Sequence, residues 1–191
     1  LYINKTNMTT NITTEAAGNN TPENEAAKNK ATDNEIPYFE DEQSKLRPEL
    51  PIVERDTINA IIYNPLTDEV LCLDWQKFDW HTFVIGGIDG DEDPVAAAMR
   101  EIKEETGYKN LQFIAEVGRS RSGYFAAHKN ENRISNAVGL LFELVNDEPD
   151  ATEESETANH VMQWVPKADV SDFINISSQK YIWEKALGVL K

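Results

Sequence analysis

The chain is expected to fold as a mixed α/β sandwich, because strand-like runs occur before, between and after a few helical segments. Two further features support this class. One central helix carries clear start and stop signals, and neither an internal repeat nor a second apolar core appears in the 191 residues.

Residues 1–35 are rich in Asn, Thr, Ala and Glu, and Tyr2 is their only aromatic. Such a segment buries too little apolar surface to offset its ordering entropy, so it reads as a disordered tail or linker. Residues 36–191 are then the domain. The stretch IPYFEDEQSKLRPELPIVERD holds three prolines and should lie extended across the surface, with the core starting near Asp56. TINAIIYNP reads as a buried strand stopped by a turn at Asn64-Pro65, and EVLCLDW as its hairpin partner. HTFVIGG is a strand running into a glycine bend. NLQFIAEVG, GYFAAH, AVGLLFELVND and HVMQWVP are four further strand candidates. DEPDATEESET is a solvated acidic loop. KADVSDFI and SSQKYIWEKALGVL read as helices, the second amphipathic through Ile182, Ala186, Val189 and Leu190.

Composition narrows the partners. The formal charge is −16, from 34 acidic and 18 basic residues, which argues against general binding to nucleic-acid backbones or anionic membranes. No run of 18 apolar residues is present, and the N-terminus lacks an apolar signal core, so a cytoplasmic protein is expected. Cys72, the one cysteine, sits in an apolar run and reads as a small buried hydrophobe. The chain starts at Leu1 rather than methionine, which leaves open a place within a longer chain. A homodimer is left open separately.

The helix from Pro94 to Thr106 carries the chemistry. Asp93 is suited to cap it, Pro94 fits its first position, and Gly107 suits a left-handed close. At roughly 100° per residue, Val95, Met99, Ile102 and Thr106 form the core stripe, while Glu101, Glu104 and Glu105 share an adjoining arc. Ala97 falls in that arc and would leave room beside the carboxylates. Like charges at such spacing repel by a few tenths of a kcal/mol per pair. A hard divalent cation would offset this, and the Gly86-Gly87 bend and Glu92 in the preceding loop add oxygen donors. Taken alone, EIKEE reads equally as a solvated glutamate-rich face.

The flanking residues complete a pattern. Gly86, Glu92, Arg100-Glu101-Ile102, Glu104-Glu105 and Gly107-Tyr108 stand at the spacing of the Nudix box, G-x5-E-x7-R-E-U-x-E-E-x-G-U, with Tyr108 where an aliphatic is usual. From about Asp56 to Leu190 the chain resembles a Nudix hydrolase. The resemblance implies an α/β/α sandwich with a mixed β-sheet, the box forming a loop–helix–loop. It also implies hydrolysis of a diphosphate linked to another group, assisted by Mg²⁺ or Mn²⁺. By position, Glu104 and Glu105 would be the main metal ligands. Glu101 would ligate metal or help deprotonate water, and Arg100 would hold Glu101. Gly86 would offer its carbonyl, and Glu92 would be an outer ligand or an anchor. Glu153, Glu154 and Glu156 are candidates for a further acidic ligand outside the box.

Arg119, Arg121, His128, Lys129 and Arg133 form a basic island suited to phosphates, or a loop whose cations balance nearby acids. Arg119, Arg121 and Arg133 are therefore candidates for binding a phosphorylated small-molecule substrate. Trp75, Trp80 and Trp164 offer rings that could stack a nucleobase. Nucleoside triphosphates, ADP-ribose-like dinucleotides, capped RNA and non-nucleotide pyrophosphates all stay open as substrates. ERDTINAIIYNP, WHTFVIGGIDG and HKNENR also resemble the Nudix-type module of some bacterial leucyl-tRNA synthetases, which implies an alternative, non-catalytic accessory role.

Overall fold

The computed structural model describes residues 35–127, 129–146, 149 and 160–190. The tail at residues 1–34, His128, and Glu153, Glu154 and Glu156 lie outside the described residues.

The elements are β1 (Tyr38–Glu40), a 3-10 turn (Glu42–Ser44), β2 (Ile52–Asn64), β3 (Glu69–Trp75), β4 (Trp80–Thr82) and β5 (Val84–Gly87). They continue with α1 (Pro94–Thr106), β6 (Leu111–Ala126), β7 (Glu131–Leu144), β8 (Val161–Pro166), α2 (Val170–Phe173) and α3 (Ser177–Leu187). The strands form one mixed sheet in the order β1-β6-β7-β2-β3-β4, with β5 also on β2 and β8 also on β3. β2 runs parallel to β7 and antiparallel to β3 and β5. Strand alternation sends Ile58, Ala60 and Ile62 to one face of β2 and Thr57, Asn59 and Ile61 to the other. On the first face a core gathers Leu73, Val138, Leu140 and Phe142 with Ala98 and Ile102 of α1. On the second, Ile61, Phe83 and Leu141 pack with Ile182, Trp183 and Ala186 of α3. The layers are α1, sheet and α3, the expected α/β/α sandwich.

Several expectations change in detail. Burial of β2 does begin at Thr57, but its paired backbone begins earlier, at Ile52 opposite Asn132. The preceding segment is more than a surface crossing, because β1 adds to the sheet parallel to β6. HTFVIGG divides into β4 and β5 at Phe83, whose side chain is buried and whose N–H donates to Gln179 Oε1 at 2.7 Å. NLQFIAEVG and GYFAAH merge into the single strand β6, because β7 offers an antiparallel partner from Leu144 to Glu131. Two register shifts, between Phe113 and Ala115 and between Glu116 and Gly118, fall within the first segment, and Arg119 to Ser122 between the two pair regularly with β7. KADVSDFI keeps only one helical turn, α2, and Val189 lies beyond α3, 42% exposed.

Candidate active site

The start and stop signals of α1 form as its sequence requires. The Asp93 carboxylate accepts from the N–H groups of Val95 and Ala96 at 3.0 and 3.1 Å. Gly107 closes the helix at φ 77°, its N–H donating to the Lys103 carbonyl. Ile102 and Thr106 are buried, and Val95 and Met99 pack against the same core. Ala97 departs from expectation. It is 0% exposed in the core, where a small side chain lets the helix approach the sheet, so it leaves no space beside the carboxylates.

Arg100 organises the acidic residues. Its guanidinium donates to Glu101 at 2.7 Å, to both Glu92 oxygens at 3.1 and 2.9 Å, and to the Gly87 carbonyl at 2.9 Å. Glu104 lies 3.5 Å away and Asp89 4.0 Å away. Glu92 thus anchors Arg100, and the bonds from Arg100 hold its carboxyl below the usual range. Burial pushes the Glu101 carboxyl up, against the opposing pull of Arg100. A raised Glu101 is the more basic carboxylate of the two. Glu104 is half exposed, whereas Glu105 is buried.

Gly86 is held to glycine by this arrangement. A Cβ there would stand 2.0 Å from Glu101 Cγ, so the Glu101 side chain lies directly on the β5 backbone. Among the described residues, no three His, Cys, Asp or Glu side chains stand together as a metal cage. The reason is visible in the geometry, since Arg100 draws Glu92, Glu101 and Glu104 towards itself. The donors fit a hard divalent cation in kind, being carboxylates and a backbone carbonyl gathered against Gly86.

The structure brings Arg100, Glu101, Glu104, Glu92 and Gly86 together, but it does not bring the basic island to them as one patch. Arg119 is spent on Glu116 at 2.7 Å. Arg121 bonds Asn136 and Glu54, each at 2.9 Å. Arg133 is paired with Glu131 at 2.8 Å and linked to Tyr124.

The sequence reading missed Arg55. Its guanidinium Nη2 lies 3.1 Å from the point a Gly87 Cβ would occupy, on an exposed stretch of β2 with no carboxylate partner among the described residues. Arg55 and Arg100 therefore bracket Gly87 from two sides. The strand parity of Arg55 with Thr57 and the glycines of the box were the signals that could have found it.

On the α3 face of the sheet lies a cleft of about 790 Å³. Trp75, Phe78, Trp80 and Tyr124 line its walls, while Lys45, Arg47 and Lys77 add cations. Thr57, Asn59 and Ile85 line it too, so the strand that carries Gly86 and Gly87 borders both the cleft and the acidic helix. Of the three tryptophans, Trp75 and Trp80 reach the cleft. Trp164 packs against the α1-side core and donates to the Tyr108 hydroxyl at 3.3 Å, which accounts for an aromatic at position 108.

Comparison with known proteins agrees with this geometry. Residues 53–184 match the family model for the NUDIX domain. A 32-residue segment is 53% identical to an RNA pyrophosphohydrolase of Acidiphilium cryptum, covering 17% of this chain and 20% of that protein. The same identity over 32 residues relates it to Nudix hydrolase 25 of Arabidopsis thaliana, covering 17% and 18%. The match thus spans about a fifth of the length of these curated relatives. In fold, the chain is similar to a C. elegans Ap4A hydrolase at TM-score 0.56 and 20% identity, covering 71% of this chain and 97% of that one. It is also similar to the E. coli dihydroneopterin triphosphate pyrophosphohydrolase at TM-score 0.53 and 20% identity, covering 70% and 96%.

Proposed function

The chain belongs to the Nudix family, and from that premise we propose that it is a pyrophosphohydrolase cleaving a diphosphate linkage in a nucleoside diphosphate derivative. One observation carries the proposal: an arginine-organised carboxylate cluster is pressed onto the glycine backbone of β5, the strand whose Ile85 lines an aromatic-walled cleft. The RNA pyrophosphohydrolase and Ap4A hydrolase among its relatives support the same reaction class.

Glu101 is the group assigned to take a proton from the attacking water. Arg100 fixes one of its oxygens, and burial raises its basicity. Glu104 and Glu105, with Glu101 and the Gly86 carbonyl, would hold the divalent cation, Mg²⁺ or Mn²⁺. Such an ion, when bound, neutralises charge growing on the phosphoryl oxygens. Arg55, whose guanidinium lies beside Gly87, would hold a phosphate of the leaving group. The complete set of box carboxylates favours catalysis over the accessory reading, since a pure binder has no use for all of them.

The test pairs two substitutions on α1. Glu105→Gln keeps size but removes charge, and hydrolysis should fall by roughly 10²–10³, the scale for losing one preorganised electrostatic group. Lys103→Gln, on the exposed side of the same turn, should leave turnover nearly unchanged. Product release is measured over nucleoside triphosphates, dinucleoside polyphosphates and capped RNA with Mg²⁺ and Mn²⁺. Equal effects of the two substitutions would remove the helix from the catalytic centre.

A further inference from the structure

We propose that residues 41–46 form a flap over the α3-face cleft, latched shut by the Asp41 carboxylate on the first turn of α3; its role as a substrate gate rests on the hydrolase reading above. Asp41, Gln43, Ser44 and Lys45 of this segment line the cleft. Both ends of the segment are held. On one side β1 pairs with β6, and the Phe39 ring packs on Tyr181 at 5.6 Å. On the other, Asn132 accepts from the Arg47 N–H at 2.9 Å and donates to the Arg47 and Leu50 carbonyls. Between these anchors the ties are few. Among the described residues, the contact of Asp41 with Ser177 is the only hydrogen-bonded link from residues 41–46 to another element. The bond from the Ser44 N–H to the Asp41 carbonyl and the pair of Lys45 with Glu42 stay inside the flap and move with it. No residue of the flap is buried. A segment with so little burial and one outside tie opens locally while the rest of the fold stays intact.

The latch has a definite chemistry. Ile176 stands at the N-cap position of α3 and offers no side-chain acceptor to the helix. Asp41 supplies one from 136 residues away, each of its oxygens 3.3 Å from the Ser177 N–H, and it also accepts from the Ser177 hydroxyl. A carboxylate there is favoured by the free N–H groups and the positive end of the helix dipole. Ser177 is partly exposed, so water can take over both donors when Asp41 leaves, and no orphaned buried group opposes opening. The closed position has its own seat. Leu46 Cδ1 lies 3.1 Å from the point a Gly123 Cβ would occupy, so the glycine makes room for it. Arg47 stacks its guanidinium over the Phe125 ring at 3.5 Å and marks the hinge. The latch grips the flap rather than a ligand, so it slows entry to the cleft and exit from it alike.

The first test is limited trypsin digestion of the full chain, with fragments identified by mass. Lys45–Leu46 is the tryptic bond inside the flap, because Arg47 precedes a proline. Cleavage there follows the open population, and Asp41→Ala should speed it roughly tenfold. Cleavage after Arg100 and Lys103, inside α1, requires wider unfolding and should keep its wild-type rate. Ser177→Ala retains its N–H, should give a smaller rise, and covers the case in which Asp41→Ala fails to fold. The double variant should match Asp41→Ala alone, since both remove one contact. No rise at Lys45, or an equal rise in α1, overturns the flap. The second test is stopped-flow binding of α,β-methylene ADP with Mg²⁺, whose bridging carbon blocks cleavage, followed by tryptophan fluorescence. Asp41→Ala should raise the association and dissociation rates by the same factor and leave Kd nearly unchanged. Unchanged rates in a variant whose Lys45 bond has become labile overturn the gate. If the analogue does not bind the wild type, it is the hydrolase reading that fails, and the trypsin result decides the flap by itself.

Discussion

Arg100 touches Glu92, Glu101 and the Gly87 carbonyl at once, so a single side chain sets the spacing of three parts of the site. Glu101 owes its position to steric fit as much as to charge. Gly86→Ala would place a methyl where Glu101 Cγ now lies, and only the flexible glutamate can move. The fold should therefore survive, judged by an unchanged circular dichroism spectrum. Turnover should drop by about 10², the scale of an ångström-level misplacement of a reacting group. Cys72 illustrates the opposite case of an inert titratable group. It is fully buried, and burial pushes its thiol up to about 12, so the thiolate is scarce at any ordinary pH. Labelling with a thiol reagent at pH 8 should be negligible in the native protein and complete after denaturation.

Between elements, the contact of α3 with the sheet rests on two small residues of neighbouring strands. A Cβ on Gly139 would meet Ile182 Cγ2 at 2.6 Å, and Ile182 is fully buried. A Cβ on Gly118 would meet Lys185 Cγ at an ordinary 3.5 Å. Gly139→Ala is expected to cost about 1–3 kcal/mol by overpacking, read as a lowered denaturation midpoint. Gly118→Ala should be neutral or slightly stabilising. The capping of α1 was legible from Asp93, Pro94 and Gly107 because every bond involved spans four residues or fewer. Its core face was only partly legible. Ala97 and Ala98 are buried because β2 and β5 come close there, which periodicity alone does not reveal.

For the molecule as a whole, the segment from Ile36 to Leu50 is tied down at several points. Asn132 accepts from the Arg47 N–H at 2.9 Å and donates to the Arg47 and Leu50 carbonyls. The Asp41 carboxylate accepts from the hydroxyl and N–H of Ser177 at the start of α3. We place the domain boundary at residues 35 and 36. Deleting residues 1–35 is expected to leave the melting temperature within a few degrees of the full chain. Extending the deletion to Pro51 should lower it clearly, because Asn132, 2% exposed, would lose the carbonyls that satisfy it. Divalent ion should act in the other direction. A ligand that binds only the native state at roughly 100 times Kd adds about 2.7 kcal/mol. Millimolar Mg²⁺ or Mn²⁺ should therefore raise the melting temperature in a thermal scan, and Glu105→Gln should reduce the rise.

By itself the sequence determined the capped acidic helix, the spacing of its carboxylates and glycines, and the alternation or apolar continuity of most strands. Each of these is settled by neighbours a few residues apart, through helical pitch, backbone sterics and local hydrogen bonds. Only the tertiary structure decided what the strands bring together. β2 meets β7 across pairs such as Thr57 and Ala137, eighty positions apart in the chain, and that pairing sets which face Asn59 occupies. The pairing of β6 with β7 brings Arg121 towards Glu54 across the sheet, and the pairing of β2 with β5 leaves Arg55 over Gly87. Whether a polar side chain is satisfied or left to face a cleft depends on partners that the chain delivers from far away. Local patterning carries no record of them.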